Sequence, residues 1–306
     1  MLASFVVETG ETAILTQSGE AYVQDHNGCT FLLQYFTPGW DDIYVETDSG
    51  IYITTDEGDL FAIENSFIDD MEVYTAFPDM IAMSIDDTLK HWTSFTLQSP
   101  LAPTLEAYVA LRACILYGSC DFLDNRQDIS TDPADATNQV LKCTAVPPSA
   151  DMVTSKSSIE RGFIYFKEGD DLWFESRFFI SSGMPFSLVD FENRYFDQSP
   201  GPRLIISGNK LAIENKFEEK ITYYPPEVAP DVPVGEWFTV KVHLTFSTNN
   251  SGVIEVWQNN TLVMSVNGVN LPLGNSIQNS LEIGVTATDI GCVLLVDDVR
   301  LADAPF

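Results

Sequence analysis

A chain of 306 residues with 45% hydrophobic and 20% charged side chains holds one large or two ordinary domains with a real core, which excludes a disordered polymer. The formal net charge of −30 repels phosphate backbones and argues against nucleic acid as a partner. Polyanionic glycans are disfavoured at long range for the same reason, although salt screens charge beyond about 10 Å at 0.1 M, so a local basic groove still works.

The charge is uneven along the chain. Residues 1–89 contain 18 Asp or Glu and no Lys or Arg, and the first basic residue is Lys90. Residues 90–306 hold all 15 basic residues and 27 acidic ones, so the two parts carry −18 and −12. This break predicts an acidic β-rich domain over 1–90 and a second domain over 91–306. Within the first, residues 42–64 alternate short apolar runs with the turns at 48–50 and 56–59, a meander of hairpins. Acids at turns and edges discourage edge-to-edge pairing. They read as a solvated face, or as a docking face for a basic partner or cations.

Residues 100–118 read two ways. Pro103 and Thr104 can start a helix with Leu105, Tyr108, Val109, Leu111 and Ile115 on one side and Gly118 at its end. The alternative is a buried strand over 109–116. Beyond the polar loop 130–138, strand-length apolar runs return at 140–145, 151–156, 163–166, 171–180, 203–206 and 211–214. Four more follow between Val234 and Leu301, separated by Asn, Gly, Ser and Pro clusters. That spacing predicts an all-β antiparallel sandwich. The five cysteines (Cys29, Cys114, Cys120, Cys143, Cys292) are odd in number and lack a Cys-x-x-Cys pair, so they indicate neither a zinc site nor a full disulfide framework. They read as buried thiols, with a Cys114–Cys120 bridge open. No run of 18 apolar residues predicts a membrane span, and no basic and apolar leader opens the chain.

Four segments carry a family resemblance: Gly169-Asp-Asp-Leu-Trp-Phe-Glu-Ser-Arg-Phe-Phe-Ile, Gly235-Glu-Trp-Phe-Thr-Val-Lys-Val-His, Gly252-Val-Ile-Glu-Val-Trp and Leu295-Val-Asp-Asp-Val-Arg-Leu. They resemble the sandwich strands of concanavalin-A-like (laminin-G-like) jelly rolls, nearest to the heparin-lyase-type polysaccharide lyases. The resemblance covers residues 90–306 and is clearest over 139–301. It implies a jelly-roll sandwich following the small acidic domain, with a glycan or polysaccharide as partner. It fixes activity poorly, because one fold hosts many functions.

Strand alternation assigns faces. Val240, Val242, Leu244 and Phe246 point to the core, so Lys241, His243 and Thr245 share the other face. Likewise Trp173, Glu175 and Arg177 alternate against Leu172, Phe174 and Phe178. On a concave sheet, Trp173, Glu175, Arg177, Lys241 and His243 would form a carbohydrate-binding groove. On a convex one they are a solvated face. A lyase reading assigns Arg177 or Lys241 to the uronate carboxylate, His243 as base and Tyr195 as acid. The Arg-Ser/Thr-Glu-Leu-like strand motif of many such lyases is absent, since Ser158-Ile-Glu-Arg161 does not match it. His26 and His91 have no visible partners, and the Glu-x-Asp-x-x-Glu strand of related glucanases is missing. Asp297 and Asp298, completed by Asp121, Asp124 or Asp128, are candidate ligands of a structural calcium, or else edge acids in water. The expectation is a non-catalytic glycan-binding or assembly protein, with a virus or phage fibre or decoration protein as its setting. Other particle subunits or a homo-oligomer are then further partners. The alternative is a polysaccharide lyase acting on uronate-containing glycans by β-elimination.

Overall fold

The computed structural model describes residues 65–82, 92–162, 164–193, 200–217, 220–274 and 276–306, together with seven backbone strands among residues 1–64. Of those seven, β1 (Ala3–Val6), β2 (Thr12–Leu15), β3 (Glu20–Gln24) and β4 (Thr30–Tyr35) form one antiparallel sheet. The expected hairpin meander forms another, from β5 (Ile43–Thr47), β6 (Gly50–Thr54) and β7 (Leu60–Ala62).

The remainder is a jelly-roll sandwich of two antiparallel sheets. The first sheet runs in the order β10 (Arg126–Thr131), β11 (Gln139–Ala145), β22 (Cys292–Ala302), β13 (Asp171–Ser182), β18 (Trp237–Thr245), β19 (Val253–Gln258) and β20 (Thr261–Asn267). Strand β8 (Phe67–Asp69) adds to β22. The second sheet runs β17 (Thr222–Tyr223), β16 (Lys210–Asn215), β15 (Pro202–Ser207), β14 (Ser187–Asn193), β21 (Gln278–Thr288), β12 (Ser155–Arg161) and β9 (Ser94–Thr96).

The core lies between the sheets and follows the period-two pattern. Leu172, Phe174 and Phe178 of β13 and Val240, Val242 and Leu244 of β18 face Phe191 of β14 and Leu281, Ile283 and Val285 of β21, all buried. Burying each such side chain stabilises the fold by about 1.5–3 kcal/mol. Phe174 meets Phe191 edge-on across the sandwich, with ring centroids 5.8 Å apart.

The ambiguous stretch is a helix, α1 (Leu105–Leu116). Thr104 caps it, its hydroxyl accepting from the Ala107 N–H at 3.2 Å, and Gly118 ends it in the left-handed region at φ +63°. Its packed side differs from the sequence expectation. Leu111 and Ile115 are buried, whereas Leu105 and Val109 face solvent. Arg112 sets this rotation, because its guanidinium stacks on Phe95 of β9 at 5.1 Å and on Tyr108 at 5.4 Å. A disulfide joins Cys114 to Cys120. Cys143 and Cys292 are buried thiols, and burial pushes both upward, Cys292 to about 11. Cys29 lies outside the described residues.

Asp69 anchors β8 and the segment after it. Its buried carboxylate accepts from Tyr74 Oη at 2.7 Å, Trp92 Nε1 at 2.7 Å and the Met71 N–H at 2.8 Å. Beside it the Arg161 guanidinium lies 4.6 Å over the Phe67 ring. Phe67, Met71, Tyr74, Phe77 and Met80 all join the sandwich core. The division at residue 90 is thus a proposal for fragments to test. A 65–306 fragment keeps β8 and the Asp69 bonds, and a 91–306 fragment loses them. The expected outcome is a higher melting temperature for 65–306; equal melting of the two would place the folding unit wholly beyond residue 90.

Candidate functional site on the outer face of the second sheet

The outward face of the second sheet is largely buried and charged. Strand β21 is buried at all 11 positions, so both its faces are covered. By contrast β18 of the first sheet alternates buried and half-buried positions. Residues directly opposite on neighbouring strands share a face. The register links Ser94 to Glu160, Glu160 to Glu282, Glu282 to Asp190, Asp190 to Arg203, and Arg203 to Glu214. One polar row therefore crosses the sheet from β9 to β16. The same pleat that sends Leu281, Ile283 and Val285 inward sends Ser280, Glu282 and Thr286 outward. Between them Gly284 stands at φ +126°, where a Cβ would lie 2.8 Å from Cys143 Sγ and 2.9 Å from the Ser157 carbonyl oxygen.

Five charged groups meet at the centre. Lys156 Nζ is 3.3 Å from Glu282 Oε2 and 4.0 Å from Asp190 Oδ2. Lys216 Nζ is 2.8 Å from Asp190 Oδ2 and also contacts Glu192 Oε1. Hydroxyls complete the shell: Ser187 and Thr286 donate to Asp190 Oδ1 at 3.0 and 2.9 Å, and Ser158 donates to Glu282. Alongside, Arg203 Nε donates to Glu214 Oε1 at 3.0 Å and the guanidinium lies 4.7 Å over Phe186.

These neighbours drive the carboxyls apart. Burial works to raise Asp190, but Lys216 and Lys156 outweigh it and hold that carboxyl well below the usual range. Burial pushes Glu192 up, and its carboxylate neighbours Asp190 and Glu282 reinforce the shift against the pull of Lys216. Burial opposes the charge on Lys156, yet Glu282 and Asp190 keep it firmly protonated. Glu192 keeps 21% side-chain exposure against 1% for Asp190, so it is the more accessible carboxyl of this pair. Oxygens of Asp190, Glu192 and Glu282 lie within 4.8 Å of one another, the one such grouping of possible metal ligands among the described residues. The two lysine ammonium groups already supply its positive charge.

The sequence-derived groove lies on the opposite face, on the first sheet. Trp173 stacks on His243 with centroids 4.0 Å apart at 9°, and Glu175 pairs with Lys241 at 3.2 Å. Both ring nitrogens of His243 face carboxylates, Asp171 and Glu255, each at 2.9 Å, which leaves neither free for a substrate proton. Arg177 sits farther along, 4.8 Å over Trp237 and bridging Asp297 and Asp298. That guanidinium stands between the two acids expected to hold calcium. Asp121 is exposed, and its carboxylate accepts from the Phe122 N–H at 3.0 Å. These three aspartates form no shared ligand set among the described residues. Tyr195, His26 and His91 lie outside the described residues.

Sequence reasoning missed Lys156, Asp190, Glu192, Arg203, Lys216 and Glu282. The signal was present as polar–apolar alternation over 155–161, 187–193 and 278–288. Each strand carries only one to three charges, however, so no single run stands out.

Breaking a buried pair leaves an uncompensated charge and typically costs about 3–5 kcal/mol, whereas an exposed pair contributes about 0–1 kcal/mol. Lys216→Met is therefore expected to lower stability in urea unfolding by about 3–5 kcal/mol. Arg126→Ala, which removes the more exposed Arg126–Asp128 pair, is expected to stay within about 1 kcal/mol of the parent. Similar losses for both would mean that the central charges are individually solvated.

Comparison with known proteins bears on the chain as a whole. The family model described as Polysaccharide lyase matches residues 88–286, well over half of the chain. Among solved structures, an endo-β-1,4-glucuronan lyase from the fungus Trichoderma reesei is 15% identical with a TM-score of 0.49, covering 60% of this chain and 88% of that one. An alginate lyase is 10% identical with a TM-score of 0.42, covering 79% and 98%. An alginate lyase from Chlorella virus is 9% identical with a TM-score of 0.42, covering 59% and 90%. No curated protein matches. The family assignment rests on the family model, and it corrects the expectation of a non-catalytic glycan-binding or assembly protein of a virus or phage particle. That expectation leaned on the all-β build, which does not separate a binder from an enzyme on the same sandwich. The chain belongs to the polysaccharide lyase family.

Proposed function

We propose that this chain cleaves a uronate-containing polysaccharide by β-elimination on the outer face of the second sheet. The supporting observation is the central cluster, where two ammonium groups and a carboxyl of raised proton affinity are held together on one face of the sheet.

The reaction has three requirements. The uronate carboxylate must be neutralised so that the C5 proton becomes acidic. That proton must be removed, and the oxygen leaving C4 must be protonated as the C4–O bond breaks and the C4–C5 double bond forms. We assign Lys216 and Arg203 to the carboxylate. Glu192 is the more accessible carboxyl, and burial tunes it towards the working pH, as a general base requires. We assign it the C5 proton. Tyr195, two residues beyond the end of β14, is assigned the proton given to the leaving oxygen. Asp190 stays ionised and holds Lys216 in place.

Two outcomes follow. With polyglucuronate, alginate or heparin as substrate, the unsaturated product is read by its absorbance near about 232 nm. Glu192→Gln, folded by its melting curve, should lose about 10²–10⁴-fold in rate. The parent rate should rise with pH through a midpoint above the ordinary glutamate range, because a base acts deprotonated and Glu192 is shifted up. A folded Glu192→Gln chain at full rate would remove Glu192 from the chemistry. The net charge of −30 sets the second outcome. Long-range repulsion of a polyanion weakens as salt rises to about 0.1 M, so KM should fall over that range. A KM that climbs steadily from the lowest salt would mean that attraction dominates the approach.

A further inference from the structure

The outer face of the first sheet has a composition that the elimination chemistry does not use. Trp173 of β13, His243 of β18 and Trp257 of β19 bring three flat rings together from three adjacent strands. Trp173 and Trp257 are 6.0 Å apart at 30°, and Trp173 lies nearly parallel to His243. All three residues are half-buried, so the cluster is partly open to solvent. The clamp of Asp171 and Glu255 on His243 prevents the imidazole from turning, which holds the Trp173 ring as well. A surface fixed in advance binds without the cost of ordering its own side chains.

We infer that this face is a second, non-catalytic carbohydrate site, and that it takes a neutral chain of equatorially linked pyranoses. Such sugars offer an apolar face of C–H groups to an indole and a rim of hydroxyls to carboxylates and ammonium groups. Glu175 and Lys241 supply that polar rim beside the rings. Charge selects the neutral polymer. Asp171, Glu175 and Glu255 are set against Lys241, the exposed Arg300 opposite Glu175 and His243 when protonated, so these described residues carry no excess of positive charge for a polyuronate. The site lies on the opposite side of the sandwich from the charged row, and packed sheets are about 10 Å apart, so both faces can be occupied together. A neutral polymer held here keeps the chain beside an acidic polymer mixed with it. This inference does not depend on the elimination reading.

The test is affinity electrophoresis of the full chain through gels containing hydroxyethylcellulose, xylan or galactomannan, with alginate as the acidic comparison. The parent should be retarded by at least one neutral polymer. Trp257→Ala should weaken that retardation about tenfold or more. Glu175→Gln, which keeps side-chain size, should weaken it severalfold and carries the test if Trp257→Ala fails to fold. Melting curves establish the fold of each variant. The inference is overturned if no neutral polymer retards the parent, if folded variants are retarded like the parent, or if only alginate retards it. A parent chain that is retarded by a neutral polymer but shows no elimination activity would count against the charged row alone.

Discussion

Pairing of buried charge on the second sheet is the constraint on which the rest of the molecule depends. A sandwich needs one apolar face per sheet, and the other face is ordinarily left to water. Here β14 and β21 are covered on both faces, and their outward positions hold Asp190, Glu192 and Glu282. Ionised groups out of water are tolerated only when compensated. Lys156 and Lys216 provide that compensation, and Ser158, Ser187 and Thr286 fill the remaining hydrogen-bonding positions. The result is a set of side chains with little freedom to move, which is what positioning a sugar ring against a proton acceptor requires.

The core and the site are two faces of the same strands. Shifting β21 by one residue against β12 or β14 would put Leu281 and Ile283 on the charged side and Glu282 in the core. Gly284 protects that register, because any larger residue there meets Cys143 and the Ser157 carbonyl. The Asp69 bonds to Tyr74 and Trp92 serve the arrangement from one end, since Trp92 precedes β9 and the Thr93 N–H donates to the Glu160 carbonyl at 2.8 Å. Sequence far from the charged row thus helps hold the edge of the sheet that carries it.

The sandwich was legible because alternation and turn spacing are local signals. The strands through Phe174, Val242 and Ile254 lie where the pattern put them, and their outward partners Trp173, Lys241 and His243 do share a face. Helix α1 was legible in its ends, through Thr104 and Gly118, but not in its packed side, because Arg112 stacking on Phe95 is a tertiary contact. The charged row was hidden for a different reason. Its members are spread one or two to a strand over β12, β14, β15, β16 and β21, with Lys216 just beyond β16, and only the order of those strands in the sheet brings them together. Lys216 and Asp190 are distant in sequence and 2.8 Å apart in space. Trp173 and His243 stand out on their single strands, whereas one Glu in Leu281-Glu282-Ile283 does not.

The central claim is that an acidic sugar chain binds along the charged row of the second sheet. The most direct measurement is a crystal structure of the Glu192→Gln chain with a uronate tetrasaccharide. The account predicts a uronate carboxylate about 3 Å from Lys216 Nζ or the Arg203 guanidinium, with C5 facing residue 192. A tetrasaccharide seated instead over Trp173 and Lys241, with the second sheet empty, would contradict it.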